Sequence, residues 1–198
     1  MKKAANKSLE RLGIDYFDLY LIHWPNRLIS LEKKMGVLEE LVKEGKTRYI
    51  GVSNFSVDRF KKAQSLLKSE ELINNQLKAN IIEQKHMSNS LPYYQKNNLT
   101  MTAYSPLSHK GLTEIGKDAE QKLRKVAKNH NKTIQQIAIA WLLQHQNVIT
   151  IPKAFHTNHV KANAEAASIN LSKEEVELFY EKPMDLELKE QTPDSTNT

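Results

Sequence analysis

Two observations in the sequence predict an α/β protein with parallel strands. Short apolar runs, too brief for helical periodicity, alternate five times with segments whose apolar residues recur at helical spacing. Each run also ends in polar residues or proline. Such alternation is typical of parallel strands joined by right-handed helical crossovers, so the carboxyl ends of the strands should share one edge.

The first half of the chain alternates helices with strands. In order, the predicted elements are a helix over 1–11, a strand within 15–25, a helix over 31–42, a strand over 47–55, a helix over 57–67 and a strand over 72–77. Gly13 and Gly45 terminate the first two helices as C-caps. Pro25 ends the first strand because proline lacks a backbone donor, and Ser56 caps the third helix.

Two strands of this half carry candidate site residues. His23 falls where the first strand ends, so it is either a proton donor or substrate orienter at a barrel rim, or a histidine hydrogen-bonded into a loop. The third strand contains Asn74, Asn75 and Gln76. Because buried amides need hydrogen-bond partners, we expect this strand to face a polar ligand or to lie at the rim.

The second half continues the same alternation. Its predicted elements are a helix over 91–94, a strand over 99–104, helices over 123–127 and 133–142, a strand over 147–151 and helices starting near 157 and 172. Thr133 and Ser172 each open a capping box. The irregular segment 108–117 is long enough to serve as a lid over a ligand. We expect one partial barrel domain over 1–190 and a disordered tail over 191–198.

Composition restricts the function classes. Charged residues make up 26% and hydrophobic residues 39% of the 198 residues, values typical of a globular protein. There is no long apolar run and no signal-like amino terminus, so we expect neither a membrane span nor export, and a cytoplasmic location. Zero cysteines exclude disulfides and thiolate sites, and we expect no metal site.

The formal net charge of +6 does not predict nucleic-acid binding. The lysines are spread along predicted helices rather than gathered with aromatic residues, so we interpret them as solvated helix faces. The six glycines form no G-x-G-x-x-G or P-loop motif. A Rossmann-type cofactor site is therefore not expected.

Several ordered motifs resemble those of the aldo-keto reductases. They are Leu21–Pro25 (LIHWP), Leu41–Lys46 (LVKEGK), Gly51–Phe55 (GVSNF), Ala103–Leu107 (AYSPL), Ala140–Gln144 (AWLLQ) and Ile151–Lys153 (IPK). The resemblance extends from Ser8 to Tyr180. It implies a TIM (β/α)8 barrel, represented here by about five strand-helix units, and an oxidoreductase that transfers hydride from NADP(H) to an aldehyde or ketone.

The resemblance also implies roles for individual residues. His23 matches the active-site histidine that orients the substrate carbonyl, and Trp24 beside it falls in the substrate site. Ser53 and Asn54 match the pair that binds the nicotinamide carboxamide, and Gln76 matches their amide partner.

Further positions match the family's contacts to the rest of the cofactor. These are Tyr104 stacking on the nicotinamide, Ser105 and Leu107 at the pyrophosphate, Lys153 at the 2′-phosphate and Asn163 at the adenine. His159 and Ala162 replace an arginine and a glutamate that the family usually has near the phosphate. Because Lys153 is retained, we expect NADP(H) to be favoured over NAD(H).

The resemblance is incomplete at the amino terminus. The family's proton donor is a tyrosine assisted by a lysine and an aspartate, all upstream of the histidine, and these three have no counterpart before His23. The chain alone is therefore expected to be inactive or weak, although His23 is a possible substitute donor. The alternatives are a non-catalytic module that binds the cofactor or a partner, and a product without selected function.

Five strands leave two strand edges that a closed barrel would not have. The first and last predicted strands are strongly apolar, at 19–22 and 148–151. Exposed apolar edges favour pairing with each other in a tighter barrel, with a second copy or with a separate polypeptide that carries further strands. We expect an isolated sample to self-associate or to be poorly soluble.

Overall fold

The computed structural model describes residues 1–25 and 28–180, so the tail predicted to be disordered lies outside the described residues. The chain divides into two compact units, Met1–Leu77 and Lys78–Thr198. In each unit parallel strands alternate with helices, which confirms the predicted α/β class. None of the helices in the described ranges combines the length and apolar character needed to span a bilayer.

Outside residues 26–27, the first unit contains three strands and three helices. They are α1 (Lys2–Leu12), β1 (Phe17–Ile22), α2 (Leu31–Lys43), β2 (Thr47–Ser53), α3 (Val57–Gln64) and β3 (Leu72–Lys78), whose last residue opens the second unit. β2 is the central strand of this unit and pairs in parallel with β1 and β3. All three strands therefore present their carboxyl ends on one side.

Predicted start and stop signals account for the boundaries of these elements. Gly13 and Gly45 adopt left-handed conformations, with φ of 64° and 68°, where the helices α1 and α2 end. The Ser56 hydroxyl accepts a hydrogen bond from the Arg59 amide and caps α3. The core of the unit lies between the sheet and the helices, and Met35, Leu38, Leu41, Ile50, Val52 and Phe60 are buried in it.

The second unit contains two strands and six α-helices within its described residues. They are α4 (Lys85–Asn89), α5 (Leu91–Lys96), β4 (Thr100–Tyr104), α6 (Lys117–Asn129), α7 (Ile134–Leu143), β5 (Val148–Thr150), α8 (Thr157–Glu165) and α9 (Lys173–Glu177). β4 and β5 pair in parallel. The segment predicted to be irregular contains one 3₁₀ turn, Gly111–Glu114.

Helix α7 is the buried centre of the second unit. Both predicted capping boxes, at Thr133 and Ser172, are present and open α7 and α9. Trp141 on α7 is fully buried, and its indole nitrogen donates to the Val176 carbonyl of α9 at 3.1 Å. These contacts hold α9 against α7 within this unit.

Candidate active site

Three predicted site residues of the first unit lie at the carboxyl ends of its strands. His23 directly follows β1, and Ser53 is the last residue of β2. Gln76 of β3 is the register partner of Ser53. The parallel pairing therefore brings these residues, which are far apart along the chain, to one edge of the unit.

A network of hydrogen bonds centred on Asn54 joins these strand ends. The Asn54 side-chain amide donates to the Ser53 hydroxyl oxygen at 2.9 Å and to the His23 carbonyl at 3.3 Å. The Gln76 carbonyl accepts from the Ser53 hydroxyl at 2.9 Å and from the Asn54 backbone amide at 2.9 Å. Asn54 has a φ of 60°, a left-handed conformation that asparagine tolerates better than most residues. The edge is thus held together by the backbone as well as by side chains.

Two polar side chains at this edge are available to a ligand. The His23 ring is exposed, and neither it nor the Gln76 side-chain amide hydrogen-bonds to another described residue. Trp24 is 57% exposed, and its ring lies 6.0 Å from the His23 ring, measured between centroids. The edge therefore presents an imidazole, an amide with both donor and acceptor, and an aromatic surface.

The other amides of β3 are not arranged like Gln76. Asn74 and Asn75 are buried, and the Asn75 amide donates to the Phe55 carbonyl at 2.9 Å. Asn75 therefore fastens the connection between β2 and α3. Of the three amides in this strand, Gln76 alone is half-buried rather than buried.

In the second unit, Tyr104 ends β4 and a tight turn follows it. Ser105 and Ser108 have φ of 51° and 62°, and the Ser108 amide donates to the Ser105 carbonyl at 2.9 Å. Burial raises the pKa of the Tyr104 phenol above its usual value of 10.0, Lys78 opposes this rise and Glu83 adds to it. Tyr104 is therefore a neutral, half-buried ring at neutral pH, suited to stacking.

Asn80 anchors this turn, and the sequence analysis did not identify it. Its side chain is fully buried, and its amide donates to the Ser105 carbonyl at 3.0 Å. Its carbonyl oxygen accepts from the backbone amides of Ile82 at 2.9 Å and Glu83 at 2.8 Å. The sequence did contain a signal for this role, namely a single asparagine two residues after a strand. An asparagine side chain that is buried there needs several hydrogen-bond partners.

Lys153 provides a cation beyond the carboxyl end of β5. Its ammonium lies 4.5 Å from the centroid of the Phe155 ring, and no described carboxylate forms an ion pair with it. His156 and His159 follow, with their rings edge to face at 5.5 Å. An exposed lysine of this kind is suited to binding an anion.

Asn163 lies on α8 and lines an open cleft of about 430 Å³. The cleft is bounded by α7, β5 and α8, and its walls include Ile139, Leu143, Ile149 and Val160. Its surface is mostly apolar, and Asn163 supplies one of its few polar groups. Such a cleft can accept a flat, partly polar group.

Comparison with known proteins identifies the family. The model of the aldo/keto reductase family matches residues 1–182. The chain belongs to this family. The resemblance based on its motifs is therefore confirmed, while the role of each site residue remains a prediction.

Two curated relatives of this aldo/keto reductase chain are named as reductases. It is 32% identical over 176 residues to a methylglyoxal reductase of Escherichia coli, covering 89% of the chain and 62% of the relative. It is 37% identical over 177 residues to a glyoxal reductase of Bacillus subtilis, covering 88% of the chain and 59% of the relative. The chain thus spans about three fifths of the length of these relatives.

Solved aldo-keto reductases share the fold. A thermostable enzyme crystallised with the inhibitor epalrestat superposes with a TM-score of 0.84 at 42% identity, covering 89% of this chain and 64% of that one. A Klebsiella pneumoniae enzyme crystallised with NADP and acetate gives a TM-score of 0.82 at 34% identity, covering 90% and 63%. The predicted fold class, a TIM-barrel type represented by five parallel strands, is confirmed.

Proposed function

We propose that this chain binds a nicotinamide cofactor, NADP(H) in preference to NAD(H), and serves the aldo-keto reductase reaction on an aldehyde or ketone. The observation that carries the proposal is the hydrogen-bonded edge of His23, Ser53, Asn54 and Gln76 at the ends of three parallel strands. The family and the crystallised relative with NADP support it.

The residues of the first unit fit the carboxamide of a nicotinamide. A carboxamide has both an acceptor oxygen and donor hydrogens, and the Gln76 side chain supplies the complementary donor and acceptor. The bonds around Asn54 and Ser53 fix the backbone of Gln76 and the neighbouring strand ends before any ligand arrives, which lowers the entropic cost of binding.

The residues of the second unit fit the other cofactor groups. Tyr104 offers a neutral aromatic face for stacking, and the turn at Ser105 and Leu107 offers polar backbone for the pyrophosphate. Lys153 offers a cation for the 2′-phosphate, and Asn163 offers an amide for the adenine.

The chain's own residues account for only part of the reaction. When bound, the reduced cofactor supplies the hydride to the carbonyl carbon. An imidazole N–H of His23 can hold the carbonyl oxygen by a hydrogen bond, and Trp24 shields one side of the substrate. The oxygen must also gain a proton, and we infer that none of these 198 residues matches the aspartate, tyrosine and lysine that the family resemblance implies for this step. Because a general acid typically contributes about 10²- to 10⁴-fold, we propose weak or no turnover by this chain alone.

NADPH fluorescence tests the proposal. Purified chain is titrated into NADPH, and methylglyoxal is then added because two relatives are named for reducing such dicarbonyls. We expect the fluorescence of NADPH to increase on binding. After methylglyoxal is added, we expect the absorbance of NADPH to fall slowly or not at all. Oxidation that His23→Ala removes would assign residual catalysis to His23.

Two other outcomes are informative. Binding without any oxidation supports cofactor binding without turnover, which the second candidate, a non-catalytic cofactor-binding module, also predicts. Absence of any fluorescence change and of any protection by NADPH against thermal unfolding contradicts the proposal.

A further inference from the structure

The side chain of Asn80, which lies outside the turn that follows β4, holds the start of that turn. The Ser105 carbonyl accepts two hydrogen bonds, from the Ser108 amide within the turn at 2.9 Å and from the Asn80 side chain at 3.0 Å. A carbonyl oxygen has two lone pairs, so both are occupied. The Ala79 amide also donates to the Tyr104 carbonyl at 3.4 Å, next to this anchor. The start of the turn is thus fixed by both backbone and side chain.

The conformation of the turn is one that requires such an anchor. Ser105 and Ser108, neither of them glycine, have φ of 51° and 62°. Side chains disfavour this left-handed region, so surrounding contacts must maintain it. Asn80 is fully buried, whereas Ser105 and Leu107 are half-buried, so a rigid interior group holds a partly exposed segment.

We propose that Asn80 is a positioning residue for the pyrophosphate-binding turn. The inference rests on the proposed function, which places Ser105 and Leu107 at the cofactor pyrophosphate. By holding the Ser105 carbonyl, Asn80 fixes the peptide plane between Ser105 and Pro106. This keeps the negative end of that peptide dipole directed at the Asn80 amide and orients the Ser105 hydroxyl and the Leu107 amide for an anion.

The two ends of the Asn80 side chain act on different segments, which allows the roles to be separated. The oxygen caps the local turn by accepting from Ile82 and Glu83, and the nitrogen reaches the distant Ser105 carbonyl. Asn80→Ser keeps a neutral acceptor for the local turn but is too short to reach Ser105. Asn80→Asp keeps the length and the acceptors but cannot donate when ionised.

The test compares binding of two ligands to the full chain and its variants. NADPH contains the pyrophosphate, and adenosine 2′-monophosphate lacks it. For Asn80→Ser and Asn80→Asp we expect about three- to tenfold weaker NADPH binding, the range for one lost hydrogen bond, and unchanged binding of adenosine 2′-monophosphate. Asn97→Ser is the matched control, because it also removes a side-chain amide bonded to a carbonyl, that of Tyr93 at 2.7 Å. It should bind both ligands as the parent chain does.

A second measurement needs no cofactor and keeps the two proposals distinguishable. Hydrogen exchange of the Ser108 amide should accelerate in Asn80→Ser and remain unchanged in Asn97→Ser, because only the former frees the Ser105 carbonyl. If the parent chain fails to bind NADPH while this exchange accelerates, the proposed function fails but the positioning of the turn stands. The positioning role is overturned if the Ser108 amide exchanges and NADPH binds in both Asn80 variants as in the parent chain. It is also overturned if the variants lose affinity equally for both ligands.

Discussion

Lys153 is the residue on which the proposed preference for NADP(H) most directly depends. Its ammonium has no ion-pair partner among the described carboxylates, so it is available to the 2′-phosphate that NADP(H) alone carries. We expect Lys153→Ala to weaken NADPH binding about tenfold and to leave NADH binding unchanged, as measured by fluorescence titration. Lys125→Ala, which removes an exposed lysine of α6, controls for net charge. Equal losses for NADPH and NADH would contradict this role.

Glu39 links pH to stability in the first unit. Its carboxylate on α2 accepts hydrogen bonds from the backbone amides of Lys68 at 2.6 Å and Ser69 at 2.8 Å. Partial burial alone would raise the pKa of Glu39, but these hydrogen bonds outweigh it and hold the pKa below the usual 4.5. The unfolded chain therefore takes up this proton at a higher pH than the folded chain does. The resulting stabilisation is complete above pH 4.5. It is lost as the pH falls through the lower pKa that Glu39 has in the folded chain.

The variant Glu39→Gln tests this linkage. At pH 7 we expect its free energy of unfolding to be about 1 kcal/mol below that of the parent chain, since the charge-assisted hydrogen bonds are weakened. The difference should shrink as the pH drops below 4.5, because the parent carboxyl is then also neutral. Urea unfolding across this range measures it, and Glu10→Gln provides an exposed control. A constant difference at every pH would exclude the linkage.

The positions of the strand ends in the sequence could predict which site residues lie together. They could not predict which hydrogen bonds hold those residues in place. His23, Ser53 and Gln76 could be placed from the sequence because parallel strands align their carboxyl ends. Asn80 could not, since its partner Ser105 lies 25 positions away and no periodicity links them. The left-handed conformations of Asn54 and Ser105 were equally hidden, because neither residue is a glycine.

At the scale of elements, β2 depends on a glycine between its two neighbouring strands. A Cβ at Gly51 would lie 2.6 Å from Leu21 Cδ2 of β1 and 2.7 Å from the Asn74 carbonyl oxygen of β3. The register between β2 and β3 also shifts at this glycine. The absence of a side chain therefore permits the close strand approach that brings Ser53 beside Gln76.

Alanine at two glycines gives opposite predictions. Gly51→Ala should lower the free energy of unfolding by about 1–3 kcal/mol, because the backbone carbonyl of Asn74 cannot move aside cheaply. Gly36→Ala, inside α2 with nothing within 4 Å of the new Cβ, should raise it by about 0.5–1 kcal/mol. Urea unfolding of both variants provides the measurement. If Gly51→Ala leaves the free energy of unfolding unchanged, β1 and β3 can move away from β2 without destabilising the unit.

Helices with a capping signal or recurring apolar residues were predictable, and α4, which has neither, was not. α6 and α7 follow the predicted periodic segments, and the capping boxes open α7 and α9 as expected. Helix α4 was missed because it buries only Met87 among its five residues, which leaves no repeated apolar spacing. The strand β5 spans only three residues of the predicted five, although the carbonyl of Asn147 and the amide of Ile151 on either side of it still bond to the backbone of β4.

For the whole molecule, the resemblance identified the family where composition alone could not. A charge of +6, no cysteine and ordinary hydrophobicity fit many enzymes and binding proteins. Six ordered motifs, several at strand ends, narrowed these to the family whose model matches residues 1–182. Which carbonyl compound is bound was not predictable, because rim loops shape the substrate pocket and the chain spans about three fifths of its relatives' length.

We expect the strand edges to determine whether the chain self-associates in solution. β1 pairs with β2, and β5 pairs with β4, and neither has a second neighbour among the described strands. Ile149 and Ile151, in and just beyond β5, are 49% and 48% exposed. An apolar edge with unused backbone donors and acceptors is a template for another strand. We therefore expect the chain to self-associate at micromolar concentration.

Sedimentation velocity over a range of concentrations tests this expectation. The weight-average sedimentation coefficient should rise with concentration for the parent chain, and Ile149→Lys should reduce the rise, because a charge on an edge strand opposes pairing. Leu12→Lys is the matched control, since Leu12 is 63% exposed on α1 and lies in no strand. If Leu12→Lys reduces association as strongly as Ile149→Lys, general surface hydrophobicity rather than strand pairing drives it. A compact monomer at all concentrations would show that these edges are protected within the chain itself.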